Sequence, residues 1–162
     1  MLSLMIRILP ALSCALCPVL AAGEVRAQGL WDTIDRNAAA VAASDRLLYY
    51  YCDERSRGVF LITDQRLPTF GAPPFDRHET TYQLDGGTPG RANLFVFSED
   101  LEEPSFTYHL VLETRGMDTT MEDVLRALGS ADELELVLWR EAVAFPLDGA
   151  RQAIAEVDRN CP

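Results

Sequence analysis

The fold of this chain is decided by the stretch RLLYYYCDERSRGVFLIT, residues 46–63. Its first seven residues are rich in aromatic side chains and its last six are mostly β-branched or apolar, which favours strand in both places. The polar residues 53–57 separate the two runs and are typical of a turn. We therefore expect a β-hairpin here, with Cys52 at the end of its first strand.

Strand patterns continue on the C-terminal side of this hairpin. Residues 80–85 and 93–97 are short strand-like runs that end at glycine or at acidic residues. The clearest alternation predicts one face made of Phe106, Tyr108, Leu110 and Leu112, and an opposite face made of Thr107, His109, Val111 and Glu113. Residues 133–139 and 142–147 predict a second hairpin. Residues 31–44 contain an alanine run that fits either a helix or a short strand, and the sequence leaves both open.

Two helices are predicted in the C-terminal half. The first follows a capping box in which Thr119 caps and Glu122 reaches back, and it ends at Gly129. Its apolar positions have helical spacing: Met121, Val124, Leu125 and Leu128. The second begins near Asp148 and places Ala150, Ala153, Ile154 and Val157 on one face. The predicted fold class is α+β, an antiparallel β-sheet with two helices packed on one of its faces.

The first 27 residues have the composition of a secretory signal peptide. Arg7 precedes an apolar run, residues 8–22, and the small residue Ala27 closes a cleavage-site pattern. The run is short and soon followed by charged residues, which is atypical of a transmembrane helix. We therefore expect a signal peptide (1–27), one globular domain (28–162), and a periplasmic or secreted protein without stable membrane insertion.

Two of the four cysteines, Cys14 and Cys17, lie in the predicted signal peptide. The remaining pair, Cys52 and Cys161, is most simply interpreted as one disulfide in an oxidising compartment. Chain-entropy arithmetic for so long a loop gives about 4–5 kcal/mol of stabilisation. The rival interpretation is a redox or metal-binding cysteine, but the sequence has no C-x-x-C motif or Cys/His cluster.

The charge of the chain excludes several classes of function. Its net charge is −11, and all 14 basic residues are arginine. Without residues 1–27, which contain two arginines and one glutamate, 12 arginines face 24 acidic residues. Such a surface repels nucleic acid and anionic lipid headgroups, so we expect no nucleic-acid partner. The lack of lysine excludes Schiff-base chemistry and the P-loop.

No catalytic motif, cofactor motif or metal site is recognisable in the sequence. The two histidines, His78 and His109, lack zinc-ligand spacing, and the acidic run 99–103 lacks the calcium-loop pattern. We therefore predict no catalytic residue, cofactor or metal. One enzyme hypothesis stays open, a hydrolase that uses His78 with Asp76 or Glu79 on the proline-rich loop.

Two surfaces and one pair of arginines are candidates for binding a protein partner. The proline-rich loop, residues 65–77, holds Phe70 and Phe75, which either pin the loop to the body of the protein or contact a partner. Arg55 and Arg57 are candidates to bind a carboxylate of a partner, since guanidinium groups suit that contact. The sheet face away from the helices is the second candidate surface.

Four segments of the chain together resemble one known family. They contain Leu47, Tyr49 and Cys52; Tyr82, Leu84 and Asp85; the run Phe95-Val96-Phe97-Ser98-Glu99-Asp100; and Phe145, Leu147, Gly149, Ala153, Ile154 and Cys161. These segments are similar to the VasI/TagO family of periplasmic accessory proteins of type VI secretion. The chain departs from the family at Phe95, where tryptophan is expected. The resemblance implies a non-enzymatic envelope protein with a two-cysteine domain.

These observations lead to one expectation about function. We expect an exported envelope accessory or binding protein that is not an enzyme and has a protein partner in the envelope, with secretion as one setting for it. Two alternatives stay open. One is an immunity or inhibitor protein that binds a periplasmic enzyme, and the other is the small hydrolase described above.

Overall fold

The computed structural model describes residues 30–71, 76–100, 105–114 and 117–161. The predicted signal peptide and Phe75 lie outside these residues. The elements, in chain order, are β1 (Asp32–Asp35), β2 (Ala38–Ala43), β3 (Arg46–Cys52), β4 (Arg57–Thr63), β5 (Arg77–Leu84), β6 (Gly90–Asp100), β7 (Ser105–Thr114), β8 (Met117–Asp118), α1 (Met121–Leu128), β9 (Glu133–Leu138), β10 (Glu141–Pro146) and α2 (Ala150–Asn160).

Nine of the strands form one antiparallel sheet in the order β1-β2-β3-β4-β7-β6-β5-β9-β10, and β8 pairs with β7 beside this path. The predicted β3–β4 hairpin is confirmed, with Cys52 opposite Arg57 at the turn end. The predicted hairpin of β9 and β10 is confirmed as well. The fold class is α+β, as the sequence predicts.

The alanine run forms a strand. Ala40 on β2 lies opposite Tyr49 on β3, and Ala38 lies opposite Tyr51. A small side chain opposite each tyrosine leaves room for the aromatic ring, and backbone pairing with β3 outweighs the helix propensity of alanine. The helical alternative for residues 31–44 is therefore excluded.

The sheet curls until its two ends approach each other. β10 contacts β2, and Arg46 Nη2 donates to Glu141 Oε2 at 2.8 Å across this junction. The enclosed face holds the main core, which includes Leu48, Tyr50 and Phe145. α2 packs on β1, β2 and β3, while α1 contacts α2 and β7. The prediction of two helices on one face is confirmed.

The predicted faces of both helices are correct, but the cap of α1 shifts by one residue. Thr120 is the N-cap, and its side chain accepts from the Asp123 backbone N–H. Thr119 instead donates its hydroxyl to the Leu112 carbonyl at 2.8 Å. α2 follows Gly149, whose φ of 79° favours glycine, and a Cβ at this position would lie 3.2 Å from the Trp31 carbonyl oxygen.

The predicted disulfide between Cys52 and Cys161 is confirmed. It joins the end of β3 to the residue after α2, with the two Cα atoms 5.6 Å apart. Beside it, the fully buried Tyr50 donates its hydroxyl to Asp158 on α2. Burial and this hydrogen bond raise the pKa of Tyr50 to about 12. The first hairpin is therefore fixed to the last helix by a covalent bond and a hydrogen bond.

Candidate functional site

A transverse row of side chains crosses the outer face of the sheet, which is the face away from the helices. Directly opposed residues of neighbouring antiparallel strands project to the same side of a sheet. The strand register aligns Ala40, Tyr49, Phe60, His109, Phe95, Arg77 and Phe70 in this way. Most of these side chains are aromatic, so the middle of the outer face is apolar.

The centre of this row forms an aromatic cluster. Tyr49 stacks on Phe60 with ring centroids 5.2 Å apart, and the His109 ring lies 5.2 Å from Phe60 on the next strand. Phe97 meets Phe60 edge-on at 4.9 Å. Phe60 is only 3% exposed although it faces away from the main core. These four residues therefore make a second, smaller core on the outer face.

Phe97 is the exposed member of the cluster, with 59% of its surface accessible. The β6–β7 register shifts between Val96 and Ser98, so Phe97 is the extra residue of a β-bulge. Bulges re-aim side chains at functional surfaces. Phe97 therefore projects from the sheet while its ring rests on the buried ring of Phe60.

His109 is half-buried within the cluster, and no salt bridge to it is present among the described residues. Its Nε2 atom is shielded from solvent and has no hydrogen-bond partner among the described residues. Burial lowers the pKa of His109 below its usual value of 6.5. The imidazole is therefore neutral at pH 7, which keeps the centre of the outer face uncharged.

We expect this histidine to make the protein sensitive to mild acid. Because the folded-state pKa lies below the unfolded value of 6.5, the contribution of His109 to stability is present above pH 6.5 and is lost as the pH falls below it. Between pH 7.5 and pH 5, the urea midpoint should fall further for the wild type than for His109→Gln, whose side chain carries no charge at either pH. Equal losses in the two proteins would contradict this assignment.

A cleft opens near Arg77, towards the Phe70 end of the row, where β9 separates from β5. Their register pairs Tyr82–Leu84 with Leu134–Leu136, and beyond it the Thr80 hydroxyl donates to the Val137 carbonyl. The cleft has a volume of about 570 Å³. Its polar and aromatic lining includes Arg77, Glu79, Arg91, Asn93, Glu113 and Trp139. We call this the β5–β9 cleft.

The three residues of the hydrolase hypothesis are not brought together. His78 lies within β5 rather than on the loop, is 5% exposed, and has its Nδ1 2.7 Å from the Pro68 carbonyl oxygen. Glu79 is exposed and pairs with Arg77 at 2.9 Å. The Asp76 carbonyl oxygen accepts from Val96. Because neighbouring strand residues project to opposite faces, His78 and Glu79 do not form the proposed arrangement.

The two arginines of the first turn differ in their surroundings. Arg57 donates to the Tyr50 hydroxyl at 2.8 Å and pairs with Glu122 and Asp158 on the two helices. Its guanidinium therefore links the sheet to both helices. Arg55 is exposed. The role of either arginine in binding a partner stays a prediction.

Phe70 does not pin the proline-rich loop by burial, because 70% of its surface is exposed. The loop is fixed by the neighbouring Leu67, which is 5% exposed and whose N–H donates to the Tyr108 hydroxyl at 2.8 Å. Phe70 exchanges two backbone hydrogen bonds with Arg77 and so extends the outer row. Phe75, for which the sequence predicts the same pinning or partner contact, lies outside the described residues.

Comparison with known proteins gives no assignment. No family model, curated protein or solved structure matches the chain. Within the described ranges, no three His, Cys, Asp or Glu side chains are arranged to hold a metal ion. None of the helices in this part of the chain has the length and hydrophobicity needed to cross a membrane. The resemblance to VasI/TagO therefore stays a prediction.

Sequence reasoning missed the two side chains that dominate these surfaces. Phe97 falls in a predicted strand, and the sequence contains no signal for the bulge that turns it outward. Trp139 is predicted as the last residue of a strand, but it begins the two-residue turn between β9 and β10. The following Arg140-Glu141 pair is a weak indication that the strand ends earlier.

Proposed function

We propose that this protein is an exported envelope accessory protein, without catalytic activity, that binds a basic protein partner through its outer aromatic face. This face consists of Tyr49, Phe60, Phe95, Phe97 and His109. The supporting observation is the position of Phe97, which is 59% exposed and rests on the buried ring of Phe60. An exposed aromatic side chain on a rigid base is typical of the residues that dominate binding energy at protein interfaces.

The geometry of the cluster favours binding with little loss of conformational freedom. Phe97 is held by the backbone of a long central strand and by an edge contact with Phe60. A partner that covers Phe97 would therefore order few additional side chains, and ordering is a main cost of association. The surrounding rings supply an apolar contact area that is already packed.

The charge of the chain indicates the chemistry of the partner. Its net charge of −11 produces a negative field, which accelerates encounter with a positively charged protein and repels an acidic one. The uncharged centre of the outer face then supplies short-range apolar contact. We therefore expect a partner with a basic surface around an apolar recess that receives Phe97.

The Phe97→Ala variant tests this proposal. Protein captured from envelope extract by the immobilised chain would be identified by mass spectrometry and purified, and its affinity would then be measured by calorimetry. We expect Phe97→Ala to weaken binding at least tenfold, which corresponds to about 1.4 kcal/mol or more. Its melting temperature should stay close to that of the wild type, because the side chain is mostly exposed.

Trp139→Ala is the matched control, since Trp139 is equally exposed, at 58%, but lies outside the outer aromatic face. It should bind the partner as the wild type does. Equal binding by wild type and Phe97→Ala, or an acidic partner, would overturn the proposal. A partner that is a periplasmic enzyme inhibited on binding would support the immunity or inhibitor function at this same face.

A further inference from the structure

We propose that the β5–β9 cleft binds a neutral saccharide, with Trp139 as the stacking platform. This site adjoins the outer aromatic face at Arg77 but shares no residue with it, and its ligand is of a different class from the protein partner proposed above. The evidence comes from the backbone at Trp139, the charge balance of the cleft and the polar groups that line it.

Trp139 adopts a backbone conformation that is unfavourable for its side chain. Its φ of 57° lies in the left-handed region, at the first position of the two-residue turn between β9 and β10. Bulky residues seldom adopt this region, which hairpin turns usually fill with glycine or asparagine. The indole is 58% exposed, so its burial does not compensate for the strain. Strained residues of this kind concentrate at ligand-binding sites.

The charged residues that line the cleft are balanced in an otherwise acidic protein, and the Arg140 guanidinium lies beside it, 5.6 Å from the centre of the Trp139 ring. Two arginines, Arg77 and Arg91, and two glutamates, Glu79 and Glu113, are the charged residues that line it. An anion would meet both carboxylates, and a cation would meet both guanidinium groups. A neutral ligand with many hydroxyl groups can instead use all four, because guanidinium groups donate hydrogen bonds and carboxylates accept them.

The polar side chains of the cleft are also held in place before any ligand binds. Asn93 is 5% exposed and donates to Glu113 at 2.6 Å, while Arg77 donates to Glu79 at 2.9 Å. His78 is also among the residues that line the cleft, and its Nε2 has no hydrogen-bond partner among the described residues. His78 Nδ1 lies 2.7 Å from the Pro68 carbonyl oxygen and donates to it, which fixes the orientation of the ring. A small number of convergent polar groups beside an aromatic side chain is typical of a small-ligand site.

The volume and shape of the cleft agree with a short glycan segment. A volume of about 570 Å³ lies within the usual range of ligand sites. The flat indole can cover the apolar C–H face of a sugar ring, while the hydroxyl groups at the ring edge reach Asn93 and Arg91.

Tryptophan fluorescence gives a direct test, because the chain has two tryptophans and Trp31 is buried. Acrylamide quenching then reports mainly on Trp139. The probes are cellotriose, maltotriose and tri-N-acetylchitotriose, each titrated to about 10 mM, which covers weak binding. We expect at least one of them to protect Trp139 and lower the quenching constant at least twofold. If none of the three does so, the proposal is overturned.

Three variants locate the site, with affinity for the active trisaccharide measured by calorimetry. Trp139→Ala and Arg91→Ala should each lower the affinity at least tenfold. Phe97→Ala, an equally exposed aromatic change outside the cleft, should leave it unchanged. An unchanged affinity in Trp139→Ala, or an equal loss in Phe97→Ala, would refute the assignment.

Trp139→Gly separates a binding role from a structural one. Glycine adopts the left-handed conformation without strain, so the melting temperature of this variant should equal or exceed that of the wild type while saccharide binding is lost. A marked fall in melting temperature would show that the indole serves the fold and would overturn the proposal. Protection of Trp139 by a dipeptide such as glycylglycine, with none by the sugars, would also count against it.

Discussion

Replacing Cys52 and Cys161 together by alanine should lower the free energy of unfolding by about 2–5 kcal/mol, the usual effect of removing a native disulfide from a small domain. The bond spans 109 residues, and its loss frees the unfolded chain over nearly the whole domain. The folded state changes little by comparison, because Tyr50 and Asp158 still join β3 to α2.

Urea denaturation with and without a reductant measures this effect. The reduced wild type should match the double variant, and the reductant should leave the double variant unchanged. If the free energy of unfolding falls by less than about 1 kcal/mol, the unfolded chain is already restricted without the disulfide, and the loop-entropy argument is contradicted.

Phe60→Ala should lower the free energy of unfolding by about 3–5 kcal/mol, the range seen when a buried phenylalanine is truncated in a core. Phe60 lies on the outer face, yet three aromatic neighbours leave it only 3% exposed. Its removal would leave a cavity under Phe97 and beside His109. A loss of this size would show that the outer aromatic cluster contributes to stability as a hydrophobic core does.

Phe97→Ala provides the matched control for this prediction. It removes the same side chain from the same cluster, but from an exposed position, and should change stability by less than about 0.5 kcal/mol. Denaturant midpoints of the two variants against the wild type give the comparison. Similar small losses in both would show that the cluster is not packed in solution.

The sequence predicts this fold well where one periodicity dominates. In β7, Tyr108 and Leu110 are buried on the core side, as the alternation requires, and His109 points to the other side. The stripe of α1 is equally clear, since Val124 and Leu128 recur at helical spacing and both are buried. In these elements local pattern and tertiary environment agree.

The sequence predicts the fold less well where neighbouring strands determine the outcome. The alanine run of β2 has a helical preference that only the pairing with Tyr49 and Tyr51 overrides. His78 follows a proline-rich segment, and its inclusion in β5 depends on pairing with Leu94 on β6. Phe60 illustrates the same limit, because its burial depends on rings from three other strands.

The candidate sites were only partly predictable for the same reason. The sheet face away from the helices is identifiable as an exposed surface from alternation alone. Its anchor, Phe97, depends on a bulge that has no sequence signature here. The β5–β9 cleft combines residues 77–81, 91–93, 113, 137 and 139, which only the strand order brings together.

The long reach of the disulfide has a consequence for biosynthesis. Cys52 is made well before Cys161, and a ribosome adding 5–20 residues per second needs roughly 5–20 s to cover the interval of 109 residues. During that interval the thiol of Cys52 has no intramolecular partner within the 30–161 range, and the first hairpin must rely on noncovalent contacts. The disulfide can form only after α2 has been synthesised. Oxidation therefore crosslinks a chain in which all the strands and helices of the core are already present.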